Sequence, residues 1–140
     1  GPTQDLLFHL HRSFGLLLIP IIAVRLAYRL THTVPPLPDD IPPLQRLAAR
    51  TTHGLLYAVL VVQPILGWVA TSAYRAPVLF FWLFELPPIW PEDRALSDVL
   101  FTGHRWLGIA LALLLAGHIG AALFHHFVRR DTVLMRMLRG

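Results

Sequence analysis

The sequence contains neither cysteine nor lysine. Without a thiol there is no disulfide, no thiolate-ligated haem and no cysteine-held iron–sulfur cluster. Charge is scarce too: 14% of the 140 residues are charged, where a soluble domain carries about 25%. All twelve basic residues are arginine, and with eight acidic residues they give a formal charge of +4 and a pI near 10.7. That balance could signal nucleic acid. The arginines, however, cluster where apolar runs end, which is the pattern of membrane topology and not of a DNA-binding stripe. No nucleic-acid partner is expected. Carboxylates are sparse within the apolar runs, which disfavours a zinc or copper site there. An initiator Met is missing as well. The chain opens at Gly1-Pro2, as a chain beginning downstream of a further N-terminal piece, or carrying a cloning scar, would.

What is abundant is hydrocarbon. Hydrophobic residues make up 55% of the chain and the mean hydropathy is +0.57. Three runs exceed the roughly 20 residues needed to cross a bilayer core. The expected fold is all-α: an integral membrane bundle forming a single domain over residues 1–140, with helices at about 6–30, 44–74 and 96–129. Pro20 and Pro64 fall inside the first two runs, where a membrane helix more often kinks than stops.

Two connectors of different character separate the runs. Thr31 to Pro43 holds five prolines and should be a stiff, extended loop. Arg75 to Ser97 is aromatic, with Phe80, Phe81, Trp82, Phe84 and Trp90 broken by Pro87, Pro88 and Pro91. It is too short to span and reads as an interfacial segment at headgroup level. Eight arginines (Arg25, Arg29, Arg46, Arg50, Arg129, Arg130, Arg136 and Arg139) lie at the end with the proline loop and tail, against four (Arg12, Arg75, Arg94 and Arg105) at the other. The excess places that end, and the C-terminus, in the cytoplasm.

The last run is punctuated by histidine. His104 and His118 are 14 residues apart, which brings them to within roughly 40° of one face and about 21 Å along the axis. His125 follows seven residues later. Imidazole is costly in hydrocarbon unless partnered, so such a row points to stacked metal or haem sites. Topology sets His11, near the outer end of the first helix, level with His104, and two axial imidazoles from two helices would suit haem electron transfer. Gly15 and Gly108, one turn on from each, would leave a flat ring room. His118 lies deeper, and His53 opens the second helix at that same end. Arg12 is placed either to pair with a haem propionate or to act as an ordinary interfacial arginine. His9 and His32 read as residues that wet the headgroups. Of the adjacent pair His125 and His126, only one can face the bundle.

These residues carry a family resemblance. His11-Arg-Ser-Phe-Gly15 before a run ending Val-Arg-Leu-Ala-Tyr-Arg-Leu30 resembles the second helix of the bacterial cytochrome b-561 family. So do the proline connector, Thr52-His53-Gly-Leu-Leu-Tyr57, Gln63-Pro-Ile-Leu-Gly67, and His104-Arg-Trp-Leu-Gly108 with His118 beyond it. The ending His125-His126-Phe with Asp131-Thr-Val-Leu-Met-Arg-Met-Leu138 completes a likeness that covers nearly the whole chain. It implies a four-helix, di-haem b protein of the bacterial inner membrane, related to cytochrome b subunits of hydrogenases and formate dehydrogenases. By that likeness His11 and His104 bind the outer haem, while His118 binds the inner one with a histidine from a first helix that has no counterpart here. His53 is the candidate substitute within this chain, although the family's matching position is not its usual ligand.

The expected function is therefore transmembrane electron transfer through haem b in exchange with the quinone pool. The resemblance implies, for some members, oxidation of superoxide at the outer face with ubiquinone as acceptor. His125 or His126, near Arg129 and Arg130, is the candidate quinone contact, with the outer aromatic loop as the other. Two rival readings stand beside it: a cytochrome b subunit anchoring a hydrogenase or dehydrogenase partner, and a non-redox scaffold whose histidines only line a helix interface.

Overall fold

The computed structural model describes residues 1–139. Three long helices, α1 (Pro2–Thr31), α2 (Pro43–Tyr74) and α3 (Arg94–Phe124), form the bundle. A two-stranded hairpin, β1 (Val78–Phe80) and β2 (Phe84–Leu86), interrupts the α2–α3 connection. After α3 comes a π-helical turn (His125–Arg129) and then a short helix, α4 (Val133–Arg139). All three long helices are long and apolar enough to cross a membrane. The all-helical membrane architecture is the one expected. α1 begins four residues before the expected start, because Pro2 at the first helical turn lacks only an N–H that has no helical partner anyway.

α2 is the central element and packs against both α1 and α3. Most other apolar surface points outward, as Val24, Leu113 and Val99 do. In a bilayer such surface faces lipid and needs no further burial. Pro20 and Pro64 lie inside intact helices.

Polar contacts tie the outer loop to the bundle. Ser97 Oγ donates to Ala70 O at 3.1 Å, Asp93 N to Ala73 O at 3.0 Å, and Ile89 N to Ser72 Oγ at 3.1 Å. Asp93 caps α3 by accepting from Leu96 N at 2.9 Å. The segment that read as an interfacial stretch is thus a built hairpin. Phe81 and Trp82 take positive φ values of 45° and 59°, as the mirror-image turn of a tight hairpin demands. Bulky side chains rarely adopt that conformation. Here Ser13 of α1, fully buried, holds it: its Oγ accepts from Phe81 N at 2.9 Å and donates to Leu79 O at 3.1 Å. Phe14 meets Phe81 edge-on at 5.1 Å.

Candidate functional site

The first cluster joins α1, α2 and α3 near the hairpin. His11 and His104 face each other with ring centroids 5.8 Å apart and planes at 81°. Two imidazoles sharing one metal ion need about 6 Å between centroids, given metal–nitrogen bonds of about 2.0–2.1 Å. His104 Nδ1 lies 3.1 Å from the carbonyl oxygen of Gln63, so Nδ1–H donates there and Nε2 is left as the coordinating atom. The Gln63 side chain returns the contact, its Nε2 donating to His104 O at 2.7 Å. Both bonds form because Gln63 of α2 lies opposite the turn of α3 that bears His104.

Space at this cluster depends on glycine. A Cβ on Gly67 would come within 2.9 Å of His104 Cε1, and one on Gly108 within 3.0 Å of Gln63 Nε2. Gly15 has open space where its Cβ would be. The sequence reading gave Gly15 and Gly108 the role of admitting a flat ring. In the fold Gly108 makes room for Gln63 and Gly67 for His104, which sequence spacing could not reveal because the contact crosses helices.

Arg12, next to His11, donates from Nη1 to Pro77 O at 3.1 Å and lies over the Phe8 ring. A guanidinium has five donors, so this leaves others for an acidic group. His9 differs from its expected role at the headgroups: it is half-buried, 5.8 Å from Trp82, with Nδ1 enclosed and unpartnered. His32 is exposed and stacks on Tyr28 at 3.9 Å.

The second cluster lies at the other end of the bundle. His53 of α2 and His118 of α3 approach to 5.2 Å between centroids, with planes at 78°. They line a cavity of about 840 Å³ with the small residues Ala49, Gly117 and Ala121 and, at its far end, His125. His125 Nδ1–H donates to Asp131 Oδ2 at 2.6 Å. The π-helical turn makes this possible by returning the chain so that Asp131 N also reaches His125 O at 3.1 Å. His126 instead meets Phe127 at 4.7 Å and is absent from the cavity wall. In the sequence Asp131 stands only in the ending segment of the resemblance, and nothing there pairs it with His125.

Among the described residues no three His, Asp or Glu side chains converge on one point. The histidines come in pairs instead. A pair of imidazoles is a poor cage for a bare ion but fits haem, which brings its own four equatorial nitrogens.

Comparison with known proteins gives the family. Residues 1–140 match the family described as prokaryotic cytochrome b561. "Cytochrome b561 homolog 2" of Escherichia coli (strain K12) is 35% identical over 130 residues, covering 92% of this chain and 69% of that protein. "Cytochrome b561 homolog 1" of the same organism is 29% identical over 137 residues, covering 97% and 77%. "Probable superoxide oxidase CybB" of Yersinia pestis is 26% identical over 129 residues, covering 92% and 73%. With membrane-spanning helices and facing imidazole pairs already in place, the match along its whole length makes this chain a member of the prokaryotic cytochrome b561 family, membrane proteins of electron transfer.

Proposed function

We propose that the protein carries electrons across the bacterial inner membrane between haem b groups, exchanging them with a quinone. The observation that carries this reading is the His11–His104 pair, 5.8 Å apart and bound through His104 Nδ1 to a backbone carbonyl. Haem, when bound, supplies one-electron exchange at its iron. The chain supplies the rest. His11 and His104 would hold the haem of the outer site. The Gln63 carbonyl fixes the tautomer and tilt of His104, and the hairpin roofs that end. His118 is a ligand of the inner site, and His53, at 5.2 Å, is the partner this chain itself can offer. A free donor of Arg12 can take a propionate.

At the inner cavity His125 is the quinone contact. The Asp131 carboxylate holds the proton on Nδ1, which leaves Nε2 of His125 as an acceptor for the hydroxyl of a quinol. His126 lies beside it as the weaker candidate. The excess of arginine at this end supports a cytoplasmic placement for it and for the C-terminus. Oxidation of superoxide at the outer face, with ubiquinone as acceptor, is the finer activity. It is supported by the 26% identity to the probable superoxide oxidase.

The test is spectroscopic. The purified protein should show a reduced-minus-oxidised α-band of b type that appears on adding a ubiquinol and whose re-oxidation by ubiquinone is fast. Absence of the band would defeat the redox reading. A band indifferent to quinone but responsive to superoxide would defeat only the acceptor.

A further inference from the structure

The two histidine pairs sit in unlike electrostatic surroundings. Beside the inner pair a space of about 640 Å³ is lined by His53 and His118 together with five arginines, Arg25, Arg29, Arg46, Arg50 and Arg136, and by no carboxylate. Two of the five are already committed. Arg46 donates to the carbonyls of Ile41, Pro38 and Asp39, and Arg136 to that of Pro36. Arg25, Arg29 and Arg50 form no ion pair among the described residues, and Arg29 lies over the Tyr57 ring at 5.4 Å. Arg25 with Arg29, and Arg46 with Arg50, are each one helical turn apart, a spacing at which like charges repel. Whatever occupies the space between these arginines and the two imidazoles must therefore be anionic where it meets the guanidinium groups. Haem has that form, an apolar ring with two carboxylates at one edge, and guanidinium grips a carboxylate bidentately.

The imbalance extends beyond the cavity. At the outer end four arginines are set against five acidic residues, Asp5, Glu85, Glu92, Asp93 and Asp98. At the inner end eight are set against three, and those three are already taken: Asp39 by Arg46, and Asp40 and Asp131 by Arg129. Adding an electron removes one positive charge from a haem site, so surrounding positive charge favours the reduced form. Guanidinium groups on the haem carboxylates act in the same direction, because they cancel the anions that would otherwise favour the oxidised form. We propose that Arg25, Arg29 and Arg50 hold the carboxylates of the inner haem and make that site the more easily reduced of the two, so that electrons run inward from the His11–His104 site. In each transfer the outer site is oxidised by one electron as the inner site is reduced, with no bond made or broken. The proposal rests on the electron-transfer reading and adds a direction to it.

Spectroelectrochemical titration of the purified, haem-loaded protein tests it. Two one-electron steps are expected, and His118→Ala should abolish the step at higher potential. In Arg25→Gln/Arg29→Gln/Arg50→Gln the oxidised-to-reduced ratio of the inner site at a fixed potential should rise at least tenfold, a downward shift of about 59 mV for one electron. The outer step should not move. The corresponding triple Lys variant keeps the charge and should keep most of the potential, which separates electrostatics from damage to the fold. Arg139→Gln, which removes a charge from the same end outside the cavity, should leave both steps in place. The proposal is overturned if the step lost in His118→Ala is the lower one, or if the Gln variant leaves both steps unmoved. A shift in Arg139→Gln as large as in the Gln variant would also overturn it, since a diffuse surface field would then suffice. So would loss of the inner haem from the Lys variant as well as the Gln variant, which would make the arginines packing groups. An unmodified protein with no b-type band would overturn this proposal and the electron-transfer reading together, whereas two haems with unmoved potentials would overturn this proposal alone.

Discussion

His104 Nδ1 lies 3.1 Å from the backbone carbonyl oxygen of Gln63, on a different helix, and the Gln63 side chain binds the backbone carbonyl of His104 in return. The proposed haem ligand is therefore oriented by a main-chain atom that no point substitution removes. Its surroundings can be changed, and they should report on it.

Gly67→Ala would place a methyl 2.9 Å from His104 Cε1. Overpacking of this kind costs about 1–3 kcal/mol, and the ring must tilt to relieve it. The expected result is a shifted low-spin signal in electron paramagnetic resonance and less haem per protein. Gly103→Ala is the control, since its added Cβ would sit 3.9 Å from Leu66, an ordinary contact. That change should leave the spectrum untouched.

His104→Ala should remove the outer haem alone, and His118→Ala the inner one alone, as read by pyridine haemochrome content and redox titration. Unchanged haem after His104→Ala would refute the paired-ligand scheme. His53→Ala separates two roles for a residue 5.2 Å from His118. Loss equal to that of His118→Ala makes it the second inner ligand, whereas full retention leaves it as cavity wall.

Ser13→Ala should loosen the hairpin. Ser13 is fully buried and serves both Phe81 N and Leu79 O. Stranding two such groups costs about 1–3 kcal/mol apiece where water cannot enter. Hydrogen exchange at the Phe81 amide should accelerate sharply while amides in the middle of α2 keep their protection.

Asp131 should confer an acid limit on the docking of α4. Burial pulls its carboxyl upward. The hydrogen bonds from His125 and from Val133 N, with the charges of His125 and Arg129, outweigh that and hold it below its ordinary 3.8. A depressed carboxylate contributes stability that is present above 3.8 and is lost as pH falls through its lower folded value. Protection of α4 from proteolysis should therefore be constant from pH 6 down to about 4 and fall below that. In Asp131→Asn it should be weaker at pH 6 and change little over the same range.

Much was legible without coordinates. Hydropathy over windows of about 20 residues is a sum over many side chains, so the three spans and the membrane class were robust to local irregularity. The fourteen-residue step from His104 to His118 is likewise fixed by the helical repeat alone. His11 could be set level with His104 because both sit near helix ends at one side of the membrane.

What crosses between helices was not legible. Composition placed the aromatic connector at the interface, but its hairpin depends on a serine 68 residues earlier in the chain. Gly67 read as part of a family segment, and only the rotation of α2 against α3 turns it toward His104. The tail read only as basic, yet the π-helical turn brings Asp131 to His125 and α4 to the proline loop. The sequence by itself determined how many helices cross and at what depth each histidine lies, because rise and hydropathy are properties of a single segment. Only the tertiary structure decided which histidines face one another and which arginines surround a common cavity, because relative rotation and register depend on packing between segments distant in the chain.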